Sequence, residues 1–171
     1  MPDKRLYLLR HAKSSWKEPE LADHDRPLAG RGRRAAKAIA RHMRDEAIAP
    51  ELVLSSTARR ASETLERIEP ALDNAAVRHE RELYGASAAA LLERLRAVPD
   101  DVVSVLLIGH NPAIEQLARD LARPSPKRRK LEAKFPTAAL ATLAFGGSTW
   151  RDLDYGEAEI VDLVRPRDLA R

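Results

Sequence analysis

Three short stretches carry the side chains best suited to chemistry. Arg10 and His11 directly follow the apolar run Leu6-Tyr7-Leu8-Leu9. The run Ser55-Ser56-Thr57-Ala58-Arg59-Arg60-Ala61-Ser62-Glu63-Thr64 follows Leu52-Val53-Leu54, and Gly109-His110-Asn111-Pro112 follows the apolar run 102–108. Arginine and histidine together suit a phosphoryl group. Guanidiniums stay charged at any relevant pH and grip phosphate oxygens with fixed, bidentate hydrogen bonds. A neutral imidazole can attack phosphorus and hold the phosphoryl group covalently. A second imidazole, if protonated, offers a donor where the equatorial oxygens gather charge. Residue types alone leave open which of His11 and His110 attacks.

Such a site needs elements that bring distant stretches together. Residues 4–9 read as a first strand, followed by a polar loop holding Asp23-His24-Asp25-Arg26-Pro27-Leu28. Residues 31–46 place Ala35, Ala38, Ile39, His42 and Met43 near one face and predict an amphipathic helix. Strands are expected at 51–55, 76–80, 102–108, 137–145 and 159–164. Helices are expected at 57–69, capped by Ser55 or Ser56 and limited by Pro70, at 87–98, stopped by Pro99, and at 113–123. Strands alternating with helices imply an α/β fold, a single three-layer domain over 1–171 with a mostly parallel sheet and helices on both faces. Ligands in such sheets bind beyond the carboxyl ends of the strands. His11, Ser55-Ser56 and His110 all fall there. Residues 124–134 form a proline-bounded basic loop.

In order and spacing, the three stretches resemble the histidine phosphatase superfamily, the phosphoglycerate mutase-like fold. Arg-His after a strand, S-x-x-x-R-x-x-x-T opening a helix, and GHNP after another strand together carry the resemblance, over residues 5 to about 123 and more loosely to the end. RHAKSSW, with DRPL downstream, resembles the SixA-type phosphohistidine phosphatase branch. The family usually has glycine after the first histidine; here it is Ala12, small enough to leave room for a phosphate. The resemblance implies that His11 is the nucleophile, that Arg10, Arg60 and His110 share the catalytic work, that Ser56 and Asn111 join Arg10 and Arg60 in binding phosphate, and that Thr64 completes the motif. It implies a hydrolase with no cofactor and no metal, because arginines and imidazole supply the positive charge.

Arg59 and Arg60 compete for the second clamp; the serine-to-arginine spacing favours Arg60, with Arg59 as helix surface. The proton donor has three possible answers: Glu82, in Arg81-Glu82-Leu83-Tyr84-Gly85, Asp25, or no dedicated acid. An imidazole leaving group protonated at its other nitrogen departs as a neutral molecule, whereas an alkoxide needs a proton. A missing acid therefore favours phosphohistidine. Residues 56–101 hold one strand and two helices, leaving little chain for a lid; an open site suits hydrolysis and admits a protein surface. The expected substrate is phosphohistidine on a protein. The alternatives are small phosphorylated metabolites, or a non-catalytic domain binding phosphate or nucleic acid.

His42 is expected in the core or at its boundary, and His79 on the surface. His24 with Asp23 and Asp25 could suggest a metal site, against which no second cluster stands nearby. The run Lys127-Arg128-Arg129-Lys130 is expected to be solvated, or else to meet an acidic protein. The chain has no cysteine, which excludes disulfides, thiolate metal sites and a cysteine nucleophile. No segment approaches the roughly 20 apolar residues of a membrane helix, and the N-terminus lacks a signal-peptide core, so a cytoplasmic location is expected. A net charge of +4 arises from 30 basic against 26 acidic residues, so most charge is solvated surface. Aromatics at 4% offer few base-stacking platforms, which disfavours nucleic acid.

Overall fold

A computed structural model of the chain describes residues 3–169. The described residues form six strands in one sheet: β1 (Lys4–Arg10), β2 (Leu52–Ser56), β3 (Ala76–Glu80), β4 (Ser104–Gly109), β5 (Leu140–Phe145) and β6 (Glu159–Val164). Their order across the sheet is β3-β2-β4-β1-β5-β6. The first four strands run parallel to one another, while β5 is antiparallel to both β1 and β6. The sheet is therefore mixed, with the expected parallel part at the site. Leu6, Leu8 and Leu9 of β1 and Val105 through Ile108 of β4 are fully buried. Strands covered on both faces need apolar side chains on both, hence continuous rather than alternating runs.

Five α-helices among the described residues cover the sheet, with short 3-10 turns between elements: α1 (Gly30–Asp45), α2 (Arg59–Ile68), α3 (Ala88–Arg96), α4 (Ala113–Leu121) and α5 (Arg129–Ala133). One core packs Ala36, Ile39 and Met43 of α1 and Ala61, Leu65 and Ile68 of α2 against Leu9, Val53 and Ile108. The other packs Leu91 and Leu95 of α3 and Ile114, Leu117 and Leu121 of α4 against Leu8, Leu54 and Leu107. Three layers result.

The register positions the site. In the parallel β1/β4 pair Arg10 lies opposite Gly109, and in the β2/β4 pair Ser55 lies opposite Ile108. Neighbouring strands are about 4.8 Å apart. His11, His110 and Ser56, each at the carboxyl edge, thus become neighbours despite their separation in sequence.

Local expectations differ in three places. Neither Ser55 nor Ser56 caps α2. The cap position is Ala58, and Ser56 Oγ instead accepts a bond from the Ala58 amide at 3.2 Å. The expected strand 137–145 starts only at Leu140, because the preceding residues are drawn to the rim. There the Ala138 amide donates to both the Arg10 and His11 carbonyls, at 3.0 and 3.1 Å, with Ala138 at φ 62°. That left-handed conformation is costly for a residue with a Cβ and is tolerated under this double bond. Third, the basic segment 124–134 is not simply a loop. It contains α5, anchored by fully buried Leu131, and Arg128 donates to the Ala122 and Arg119 carbonyls at the end of α4. His42 is half-buried and His79 exposed, as expected.

Candidate active site

His11 is 7% exposed. Its Nδ1 lies 2.7 Å from the Ala12 carbonyl. A carbonyl only accepts, so Nδ1 carries the proton and, in the neutral ring, Nε2 keeps its lone pair. Thr64 holds the preceding peptide, between His11 and Ala12. Its hydroxyl accepts from the Ala12 amide at 3.0 Å and donates to the Arg60 carbonyl at 2.7 Å. The threonine of the S-x-x-x-R-x-x-x-T run thus ties the His11 loop to α2.

The His110 ring stands 5.1 Å from that of His11, tilted by 50°. Its Nε2 is 2.8 Å from Ser56 Oγ, while its buried Nδ1 has no partner among the described residues. Ser56 accepts from Ala58 and can donate to Nε2, which leaves the Nδ1–H of a neutral His110 to donate elsewhere.

Arg60 is 7% exposed. One terminal nitrogen donates to the Asp23 main-chain carbonyl at 2.7 Å and the other to the Asp23 carboxylate at 2.9 Å. Arg59 faces outward and pairs with Glu63 at 3.0 Å, so the four-residue spacing chose the inward arginine. Arg10 donates to the Phe135 carbonyl at 3.1 Å, and its buried Nε is unpartnered among the described residues. Asn111, expected to bind phosphate, spends its amide nitrogen on the same Phe135 carbonyl at 3.0 Å. In this geometry it braces the wall beside Arg10.

Both imidazoles are poor bases here. Burial pushes His11 down to about 3, against the upward pull of the Ala12 carbonyl bond and with help from the Arg60 and Arg10 charges. Burial and the Arg60 charge push His110 down to about 4. At neutral pH both rings are uncharged. This departs from the expectation of a protonated second imidazole; His110 can still donate through Nδ1–H, and a phosphoryl dianion between the arginines would raise its proton affinity.

Three participants have no role at the phosphoryl site in the sequence reading: Asp23, Tyr84 and Arg26. Asp23 is the partner of Arg60. Its carboxylate also accepts from the Tyr84 hydroxyl at 2.6 Å and from Arg26 at 3.1 Å. The Tyr84 bond, followed by Arg60, holds Asp23 well below the usual carboxylate range, and the same bond raises Tyr84 above an ordinary phenol. The Tyr84 ring meets His110 edge-on at 5.5 Å and His24 at 4.8 Å. Buried Arg26 explains DRPL: it binds the Ser15 carbonyl, Ser14 Oγ and Asp23, and stacks on Trp16 at 3.3 Å. A charged residue in a polar loop next to RHAKSSW was the available signal. Gly32 is required for a related reason, since a Cβ there would stand 2.1 Å from the Lys13 carbonyl oxygen.

Glu82 is exposed, in a single 3-10 turn at Arg81–Leu83. Asp25 is exposed too, 3.7 Å from His24. Neither takes part in the network around His11 among the described residues. The trio Asp23, His24 and Asp25 does not converge either. Asp23 is taken by two arginines and a tyrosine, His24 Nε2 lies 2.9 Å from Thr57 Oγ1, and no metal-holding group is found among the described residues.

The family model described as histidine phosphatase superfamily (branch 1) matches residues 6–86. An uncharacterized protein of Mycobacterium tuberculosis is 38% identical over 163 residues, covering 93% of this chain and 100% of its own. A solved structure from Nakamurella multipartitia, named as a candidate phosphohistidine phosphatase SixA, is 32% identical. It superposes with a TM-score of 0.86 over 97% of this chain and 98% of its own. A mycobacterial glucosyl-3-phosphoglycerate phosphatase shares the fold at 17% identity, with a TM-score of 0.63 over 93% of this chain and 98% of its own.

Proposed function

This chain belongs to the histidine phosphatase superfamily, and from that premise we propose that it hydrolyses phosphohistidine on a protein through a phosphohistidine formed on His11. The observation that carries this is the hydrogen bond from His11 Nδ1 to the Ala12 carbonyl, 2.7 Å long. It commits the proton to Nδ1 and leaves Nε2 as nucleophile, in surroundings that keep the ring neutral.

Arg10 and Arg60 grip the substrate's phosphoryl oxygens. The His11 Nε2 lone pair forms a bond to phosphorus as the substrate's P–N bond breaks. That electron pair returns to the substrate imidazole, which leaves neutral when its other nitrogen holds a proton. His110 Nδ1–H donates to an equatorial oxygen as charge accumulates. Water then attacks the phosphorus of phospho-His11 and loses its proton to solvent. The Nε2–P bond breaks, giving inorganic phosphate and neutral His11. Two guanidiniums supply the charge that a metal would otherwise bring, so no metal is required. No helix among the described residues is long and apolar enough to cross a membrane.

One observation favours a second reading, a small phosphorylated metabolite. A cavity of about 430 Å³ beside His110, walled by Leu83, Ala86, Leu91 and Pro112, has the size of a small-molecule site. The deciding experiment compares kcat/KM on a phosphohistidine protein with that on a panel of phosphate monoesters. Preference for the phosphohistidine protein is expected. A monoester turned over far better would transfer the function to metabolites.

A further inference from the structure

Beside Arg10 the surface opens into a trough rimmed by cations. Two adjoining hollows, of about 430 and 260 Å³, share Lys13, Arg31 and Lys134 as walls. The first begins at Arg10 and Asn111; the second ends at Arg167. The two hollows therefore adjoin across a shared wall, one touching Arg10 of the phosphoryl site and the other Arg167.

Its cations are available. Arg31, Lys134 and Arg167 are exposed and Lys13 half-exposed. None of the four donates a side-chain hydrogen bond or pairs with a carboxylate among the described residues. The other charged groups in the walls are already used. Glu115 pairs with Arg119 at 3.4 Å and accepts from the Phe135 amide at 3.1 Å, so its negative charge is answered. Arg165 is 7% exposed and donates to the Lys134 and Lys130 carbonyls. The run Lys127-Arg128-Arg129-Lys130, a candidate for meeting an acidic protein, does not line the trough. From that segment Lys134 does.

Resting on the phosphohistidine reading above, we propose that this trough docks an acidic segment of the phosphorylated protein, with Lys13, Arg31, Lys134 and Arg167 meeting its carboxylates while the phosphohistidine lies between Arg10 and Arg60. Four cations unpaired among the described residues, three of them on the wall that the two hollows share, can meet several carboxylates at once, as a peptide segment presents them. Such complementarity raises the association rate and selects partners. The walls also argue against nucleic acid. Their one aromatic side chain, Phe135, is 2% exposed and offers no face for a base to stack on.

The test uses the triple variant Lys13→Gln/Arg31→Gln/Lys134→Gln and three fluorescent probes: two peptides without phosphate, one Asp/Glu-rich and the other its Asn/Gln counterpart, and a single-stranded oligonucleotide matching the acidic peptide in charge. Fluorescence anisotropy reads binding, and turnover of an aryl phosphate reports the integrity of the phosphoryl site. The acidic peptide is expected to bind wild type at least about tenfold more tightly than the neutral one, weakening with salt, and to lose that advantage in the variant. Aryl phosphate turnover should be unchanged. Equal binding of the two peptides, an advantage that survives the triple substitution, or tighter binding of the oligonucleotide would overturn the proposal. Phosphohistidine forms of both peptides are then assayed for kcat/KM. Failure to hydrolyse either would defeat the phosphohistidine reading alone, because docking is measured without phosphate.

Discussion

Asp23 holds both terminal nitrogens of Arg60, one through its main-chain carbonyl and one through its carboxylate. Asp23 is thereby a positioning residue for the second phosphate clamp. Asp23→Ala should lower kcat/KM, and the loss should vanish when Arg60 is already absent. A double-mutant cycle of Asp23→Ala and Arg60→Ala should give a coupling of about 1–3 kcal/mol. Asp23→Asn, whose amide oxygen can still accept from Arg60, should recover part of the loss. Additive effects would show that Asp23 acts on something other than Arg60.

Arg59 and Arg60 differ by one position and by everything around them. Arg60→Ala should cost on the order of 3 kcal/mol of transition-state stabilisation, as for a donor lost from an oxyanion site. Arg59 pairs only with Glu63 on the surface, so Arg59→Ala should cost well under about 1 kcal/mol. The measurement is kcat/KM for both, and a larger loss at Arg59 would reverse the assignment.

His11→Ala should abolish turnover and leave the fold intact, since His11 lies past the end of β1. Wild type mixed briefly with labelled substrate should retain acid-labile, alkali-stable label. The same label on His11→Ala would move the nucleophile elsewhere. Because the arginines carry the needed charge, prolonged chelator treatment should leave turnover unchanged. Loss restored by a divalent ion would send attention back to Asp23, His24 and Asp25.

The low proton affinities of the two histidines have consequences on the acid side. His11 at about 3 and His110 at about 4 should keep neutral-ring NMR shifts as the pH drops through 6.5, where an ordinary imidazole titrates. Added vanadate or phosphate should move both titrations upward. For stability the sign follows from the same displacement. The unfolded chain takes up these protons near 6.5 and the folded one does not. The contribution is complete above 6.5 and is lost progressively as the pH falls toward 4 and 3. His11→Ala should lessen the fall in Tm over that interval.

The parallel half of the fold was legible because buried parallel strands need unbroken apolar runs, and β3 and β6 fall on the expected residues. The rim was legible through order: Arg10, His11, Ser56, Arg60, Thr64 and His110 sit together because each follows a strand or faces inward from α2. Other features depended on contacts that no local pattern encodes. The antiparallel placement of β5 is a matter of connection rather than composition. Asp23 and Tyr84 are far apart in sequence, and only the folded chain shows the Tyr84 hydroxyl donating to the Asp23 carboxylate. Lys134 was passed over in favour of the denser run 127–130 because density of charge in sequence does not say which side chains the backbone will consume.

The identity of the proton donor yields the sharpest test. Glu82 is exposed and outside the network, Asp23 is held ionised by its partners, and Tyr84, its proton affinity raised by Asp23, remains a reluctant acid. A site without an acid must rely on leaving groups that depart unaided. Wild type should therefore hydrolyse phosphohistidine well, aryl phosphates of acidic phenols less well, and alkyl phosphates poorly, with a steep dependence on leaving-group pKa. General acid catalysis normally contributes about 10²–10⁴-fold, so its presence would flatten that dependence visibly. Glu82→Gln should change neither the slope nor the rate on phosphohistidine. Tyr84→Phe should slow all substrates alike, because it removes a bond from Asp23 and not a proton from the reaction. A shallow wild-type slope that becomes steep in Glu82→Gln would install Glu82 as the acid and move the substrate toward phosphate monoesters. The same change in Tyr84→Phe alone would give that role to the phenol.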